Sequence, residues 1–133
     1  MCQKSTLSYS TITNTVVISQ GNPNLDGSGN ITVLVVGSDD GAMISTISIK
    51  ALQSTSQGMI RFFLFHPSVS GYHLYAESYV PETTQTGVVQ SFSSSFADGL
   101  YIPAGSLIGV ATQNSESFSI TAQVISWTNC SCD

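Results

Sequence analysis

The sequence predicts an all-β domain, a two-sheet antiparallel sandwich of about eight strands with jelly-roll or related Greek-key topology. Three observations predict it. Apolar and polar residues alternate with a period of two along most of the chain, and no ten-residue stretch carries a 3.6-residue period. Clusters of Gly, Pro, Asn, Asp and Ser recur about every 8–12 residues, the spacing of turns in a sandwich or barrel. The runs between them are rich in β-branched and aromatic residues. The 133 residues and 14.0 kDa fit one domain over 1–133, long enough to bury a core without disulfide or metal support. Residues 1–6 and 128–133 are expected to be flexible or docking termini. No repeat of solenoid length and no linker divides the chain.

The elements follow in order. Leu7, Tyr9, Thr11 and Thr13 alternate with Ser and Asn, and a β-branched run follows at 15–18. Residues 21–30 are a dense cluster of turn formers and are expected to form a long loop. Residues 31–36 form a continuous β-branched run, expected as a buried strand, and 37–41 turn the chain. Ile44, Ile47 and Ile49 alternate with hydroxyls over 43–52. Residues 59–65 are the strongest strand signal and 66–71 a loop. In the strand 72–80, Tyr72, Leu74 and Ala76 are expected to share one face, with His73, Tyr75 and Glu77 on the other. After a polar loop at 81–87 comes a weak strand at 88–96. Asp98-Gly99 is expected as a turn, followed by a short strand at 100–102 and a tight turn at 103–105. The last two strands are expected at 107–112 and 118–127.

Charge excludes several function classes. Only 8% of the residues are charged, against an ordinary value of about 25%. Ser and Thr supply the polarity, at about a quarter of the chain. Hydroxyls cost less to desolvate than Lys or Glu, and interface cores are poor in Lys, Glu and Asp. Much of this surface can therefore face a neighbour, although hydroxyl-rich composition also simply suits strands and turns. The net charge is −5, with Lys4, Lys50 and Arg61 as the cations. Three scattered cations cannot build a phosphate-tracking surface or hold an anionic membrane, so neither nucleic acid nor membrane is an expected partner. Residues 1–10 carry no apolar h-region, which points to synthesis and folding in a cytoplasm.

No catalytic, cofactor-binding or metal-ligating set emerges, and the chain is read as a non-enzyme. His66 and His73 flank one hairpin with Glu77 as their only companion, short of a metal ligand set. Asp39-Asp40-Gly41 resembles a fragment of a calcium loop without its ligand ladder. Asp26-Gly27 and Asp98-Gly99 are ordinary turn pairs. There is no Gly-x-Ser-x-Gly elbow, phosphate loop or dinucleotide fingerprint. Cys2, Cys130 and Cys132 lie at the chain ends and are expected as free thiols, with a link from Cys2 to Cys130 or Cys132 open if the ends meet. The sequons at Asn30 and Asn129 are expected to be chance. Tyr72, Tyr75, Tyr79, Tyr101, Phe92 and Trp127 are read as core first, interface second and sugar platform third.

Four segments carry a family resemblance: Gly41-Ala-Met-Ile-Ser-Thr-Ile-Ser-Ile-Lys-Ala51, Gln57-Gly-Met-Ile-Arg-Phe-Phe-Leu-Phe65, Leu100-Tyr-Ile-Pro-Ala-Gly105 and Gly109-Val-Ala-Thr-Gln-Asn-Ser-Glu-Ser-Phe118. In order and spacing they resemble small β-sandwich virion proteins of tailed bacteriophages. The Cys-bearing C-terminus and the turn after Phe65 depart from that pattern. The resemblance implies a structural protein of the phage virion, assembled in the host cytoplasm. Its expected role is a capsid decoration or auxiliary protein on the major capsid lattice, as a homo-oligomer, with a trimer expected. A tail, fibre or baseplate subunit and a carbohydrate-binding sandwich module are the rival readings.

Overall fold

Alternation of Ile with Ser and Thr makes Ala42–Ala51 a strand with one buried face: Ile44, Ile47 and Ile49 are each at most 1% exposed. The other strands share the same pleat, but several carry register shifts and two are buried on both faces in their middle. The computed structural model describes residues 6–130, with side chains from 9 to 127. Its strands are β1 (Thr6–Ile18), β2 (Thr32–Val36), β3 (Ala42–Ala51), β4 (Gly58–His66), β5 (Val69–Val80), β6 (Ser93–Ile102), β7 (Leu107–Thr112) and β8 (Phe118–Cys130). Two four-stranded sheets form, in the orders β1-β8-β3-β6 and β2-β7-β4-β5. Every ladder between named strands is antiparallel. This is an eight-stranded jelly-roll sandwich. Its core lies between the sheets, where Ile44, Ile47, Ile60, Phe62, Ile108 and Ile120 are fully buried. Phe62 and Phe96 meet edge to face across the sandwich at 5.8 Å.

Part of the outer face of the second sheet is covered by its own chain. The loop 19–31 is organised by Asn22, whose Nδ2 donates to the Ser28 and Asn30 carbonyls at 2.9 and 3.0 Å. The Asn22 backbone N–H donates to the Thr112 carbonyl at 2.7 Å, tying the loop to the end of β7. A Cβ on Gly109 would sit 2.3 Å from Ile31 Cγ2, and one on Gly27 would sit 2.1 Å from the Tyr72 carbonyl oxygen. The loop thus lies directly on β5 and β7. Phe63, opposite Gly109 in the ladder, is 0% exposed although it lies outside the inter-sheet core.

Five expectations change. The loop expected at 66–71 is only a turn at Pro67 and Ser68, because β4 reaches His66 and β5 begins at Val69. Asp98-Gly99 is not a turn: β6 runs unbroken from Ser93 to Ile102, with a register shift opposite Ile44 to Thr46. Gly99, at φ 76°, supplies the left-handed residue of this bulge, so a turn dipeptide serves a strand irregularity. The strand expected from residue 88 begins at Ser93, because Val88 is 97% exposed in a loop with nothing to pack on. The run expected at 31–36 is the short edge strand Thr32–Val36, buried only in part: Leu34 and Val35 are buried, while Val33 is 41% and Val36 58% exposed. In β5 a bulge between the partners of Phe62 and Phe63 switches faces. Ala76 packs toward the core opposite Phe62, whereas Leu74 lies opposite Phe63 on the other side. Of the expected termini, Thr6 and residues 128–130 belong to the β1–β8 ladder. Residues 1–5 and 131–133, and with them Cys2 and Cys132, lie outside the described residues.

Candidate interaction surface

Ile120, Ala122 and Val124 of β8 point into the core, so Thr121, Gln123, Ile125 and Trp127 point outward. Ladder registers extend these residues into rows across the first sheet. One row reads Thr11, Ile125, Met43, Tyr101. The next reads Thr13, Gln123, Thr46, Ala97. Beyond it come Thr15, Thr121, Ser48, Ser95 and then Val17, Ser119, Lys50, Ser93. At the opposite end Tyr9 faces Trp127. The outer face therefore has an aromatic and apolar end and a hydroxyl end.

The electrostatics follow from the same rows. Lys50 is the only charged side chain on them, and its Nζ donates to the Ser91 carbonyl at 3.2 Å. Asp98 lies on β6, but its carboxylate accepts the Tyr75 hydroxyl of the second sheet at 2.5 Å. At the apolar end, Tyr101 and Trp127 stack obliquely with ring centroids 6.3 Å apart. Tyr9 is 70% and Tyr101 53% exposed, amphipathic rings of the kind enriched at interfaces. At the hydroxyl end, Thr15 and Thr121 share a hydrogen bond of 3.1 Å. The face can form hydrogen bonds and apolar contacts while stripping water from almost no charge.

The residues singled out in the sequence separate in space. His66 is exposed, and its Nδ1 accepts the Ser68 backbone N–H at 3.1 Å and meets the Ser68 hydroxyl at 2.6 Å, closing the β4–β5 turn. Glu77 pairs with Arg61 at 3.1 Å rather than with either histidine. Among the described residues no three His, Cys, Asp or Glu side chains come together as a metal site. Asp26 accepts the Ser28 hydroxyl at 2.6 Å and its backbone N–H at 3.1 Å, and these bonds hold its pKa below the ordinary carboxylate value. Residues 38–41 close a tight turn through the Gly41 N–H and the Ser38 carbonyl, 2.9 Å apart.

The aromatics divide as well. Tyr72 packs against Phe65 at 5.9 Å, Phe92 lies against the core, and Tyr79 stands opposite Met59. Only Tyr101 and Trp127 of the six come together, and Tyr9, which sequence reasoning left among the strand residues, completes their cluster. Its signal was the strand alternation itself, which puts Tyr9 in phase with the outward Thr11 and Thr13.

Surface clefts open at two places among others. One of about 250 Å³ opens between the end of β1, the start of β2 and β7, lined by Ile18, Gln20, Asn30, Thr32 and Thr112. Small-molecule sites usually occupy ~300–1,000 Å³ and converge polar groups on the ligand. This cleft is smaller and no titratable side chain lines it. The other lies open on the hydroxyl end of the first sheet, at Ser48, Lys50 and Ser93–Ser95.

Tyr75 joins the edge strands β5 and β6 on one side of the sandwich. Burial first, then the bond and charge of Asp98, push its pKa up from 10.0 to about 12. The folded state thus keeps a proton that the unfolded chain releases, so stability present below pH 10 is lost as pH rises toward 12. Tyr75→Phe is expected to flatten this alkaline loss. Melting temperatures of both proteins between pH 9 and about 12.5 check it; parallel curves would refute it.

Scanning known protein families finds no match to this chain, and no curated protein matches it. Among solved structures, an insect protein, described as the structure of Eiger TNF from S. frugiperda, is similar in fold. It superposes with a TM-score of 0.54 over 94% of each chain at 11% sequence identity. At that identity the likeness extends to the jelly-roll sandwich and no further.

Proposed function

We propose that this protein is a non-enzymatic structural subunit of a phage virion, a decoration or auxiliary protein that docks on the major capsid lattice and stabilises the head. The observation that carries the reading is the outer face of the first sheet, which among the described residues has Lys50 as its single charge and an aromatic end. Docking such a face costs little desolvation, and the aromatic end supplies the anchors that dominate binding energy. A lattice repeats each modest contact, so a small gain per copy multiplies over the shell. Jelly rolls serve as viral capsid domains. The segments resembling phage virion proteins point the same way.

The test is the copy number of this chain in purified particles, by quantitative mass spectrometry against the major capsid protein. A ratio near one, or a simple lattice fraction of it, is expected. A handful of copies per particle moves the protein to a tail, fibre or baseplate position. Absence from particles overturns the reading. The tilted Tyr101–Trp127 pair favours a carbohydrate-binding module as the second reading, since sugars stack on such rings. Jelly rolls also serve as lectin domains. Glycan-array binding that is lost in Tyr101→Ala would select it.

A further inference from the structure

A sandwich has two open sides, each made of two edge strands, and unpaired strand edges are templates for another chain. One side, β5 and β6, is guarded. β6 carries the Asp98–Gly99 bulge, β5 carries Glu77 and two register shifts, and the Tyr75–Asp98 bond joins the pair. On the other side β2 carries one register shift, between Val33 and Val35, but β1 has no such guard. β1 keeps unbroken register with β8 over thirteen pairs, with no bulge, no proline and no charged residue. Among the described residues no strand pairs with its outer edge.

The solvent exposure along β1 is unusual for a strand with a core face. Residues 9–13 are all exposed, on both faces. Ile12 points to the core side, opposite Val124, yet it is 43% exposed while Val124 is 3% exposed. Beside it, Val33 and Val36 of β2 are 41% and 58% exposed. Asn14 Nδ2, which reaches the Leu34 carbonyl at 3.4 Å, holds the two edges together.

We infer that this side is a self-association surface: a second copy of the chain adds its own β1 antiparallel to this one, joining two first sheets into one eight-stranded sheet. The occupant is another copy because the surface matches itself. Strands β1 and β2 carry no charge, so a two-fold axis brings no like charges of these strands together, although the chain as a whole carries −5. Register follows from side-chain pattern. Ile12 is the apolar residue on the core side of the open stretch, and an axis at its midpoint sets Ile12 against Ile12 of the second copy. The same register places Thr11 against Thr13, a favourable cross-strand pair. It also brings the exposed valines of the two β2 strands toward each other across the axis. Pairing is then by twos, whereas the sequence-based expectation was three. The inference deepens the homo-oligomer part of the proposed function and holds whether or not the protein resides in a virion.

The test is the mass of the purified full chain in solution by light scattering and sedimentation, across a range of concentrations. Twice 14.0 kDa is expected. Ile12→Lys places two ammonium groups across the axis and is expected to yield a monomer with the far-UV spectrum of the parent. Tyr101→Lys, on the outer face away from the edge, is expected to leave the dimer intact. Opposed residues at an antiparallel pair stand about 4.5–5.5 Å apart at Cα, within disulfide reach. Ile12→Cys is therefore expected to cross-link on oxidation through position 12, as read by peptide mass spectrometry, with Val17→Cys as the negative control. A monomer at every concentration, a trimer, or a dimer indifferent to Ile12→Lys and without the position-12 cross-link would each overturn the inference. Failure here leaves particle copy number untouched, so the two readings fail separately.

Discussion

Phe62→Ala is expected to destabilise the protein by about 3–5 kcal/mol, the usual cost of removing a buried phenylalanine and leaving a cavity. Phe62 sits where the two sheets meet. It is 0% exposed, it lies in the central strand β4 between β5 and β7, and its ring is met edge-on by Phe96 of the opposite sheet at 5.8 Å. Its neighbours on the core face, Ile60 and Ile108, are also fully buried and held by their own ladders, so little can move into the vacated space. Native domains are stable by only ~5–15 kcal/mol. The substitution therefore removes a large share of the total and lowers the melting temperature by roughly 10–20 °C for a chain of this size. Chemical denaturation measures it, with Val88→Ala as the comparison. Val88 is 97% exposed, and its truncation is expected to change stability by under ~0.5 kcal/mol. Equal effects at the two positions would mean that the sandwich core is not where this structure places it.

That contrast also shows what was legible in the sequence. The fold class followed from periodicity, because a two-residue period with β-branched runs is a local property that tertiary packing does not change. The strands at 43–52, 59–65 and 107–112 fall within a residue or so of β3, β4 and β7 for that reason. What failed were features in which one residue type serves two structures. Asp98-Gly99 has turn chemistry, but the left-handed conformation of Gly99 is used inside a bulged strand, and only the neighbouring ladder reveals which. The face switch in β5 is likewise invisible in the alternation, because a bulge shifts phase without changing composition. Val33 and Val36 read as buried because β-branched runs usually are, and their exposure depends on which strand ends up at an edge.

The candidate interaction surface was legible in part. Low charge implied a face that could be desolvated, but which face required the strand order, since Tyr9, Met43, Tyr101, Ile125 and Trp127 come from four strands spread over the chain. The open β1 edge depended equally on the strand order of the first sheet. Residue types supply the chemistry of a β-sandwich surface, and topology decides which of them become neighbours.

Gly27→Ala is expected to be the most damaging single-methyl change in the loop 19–31. Gly27 sits at φ 87°, where an L side chain is strained, at a cost of about 1–3 kcal/mol. Strain is the smaller part of the problem. The added Cβ would lie 2.1 Å from the Tyr72 carbonyl oxygen, a backbone atom of β5 that cannot swing aside as a side-chain tip can. The loop must lift. Lifting it draws on Asn22, which is 3% exposed and satisfies the Ser28 and Asn30 carbonyls. It also uncovers the ground beneath Ile31, where Gly109 and the buried Phe63 share the outer face of the second sheet. The expected result is therefore local opening as well as lower stability: faster proteolysis within 19–31, binding of a hydrophobic dye and a lower melting temperature. Gly71→Ala is the control, since Gly71 has nearly the same φ, 84°, but nothing lies within 4 Å of its Cβ position. Both variants carry the conformational strain and only Gly27→Ala carries the backbone overlap. A proteolysis rate within 19–31 that rises for Gly27→Ala alone would assign the effect to the seating of the loop on β5. Equal rates in both variants would mean that the loop does not cover the second sheet.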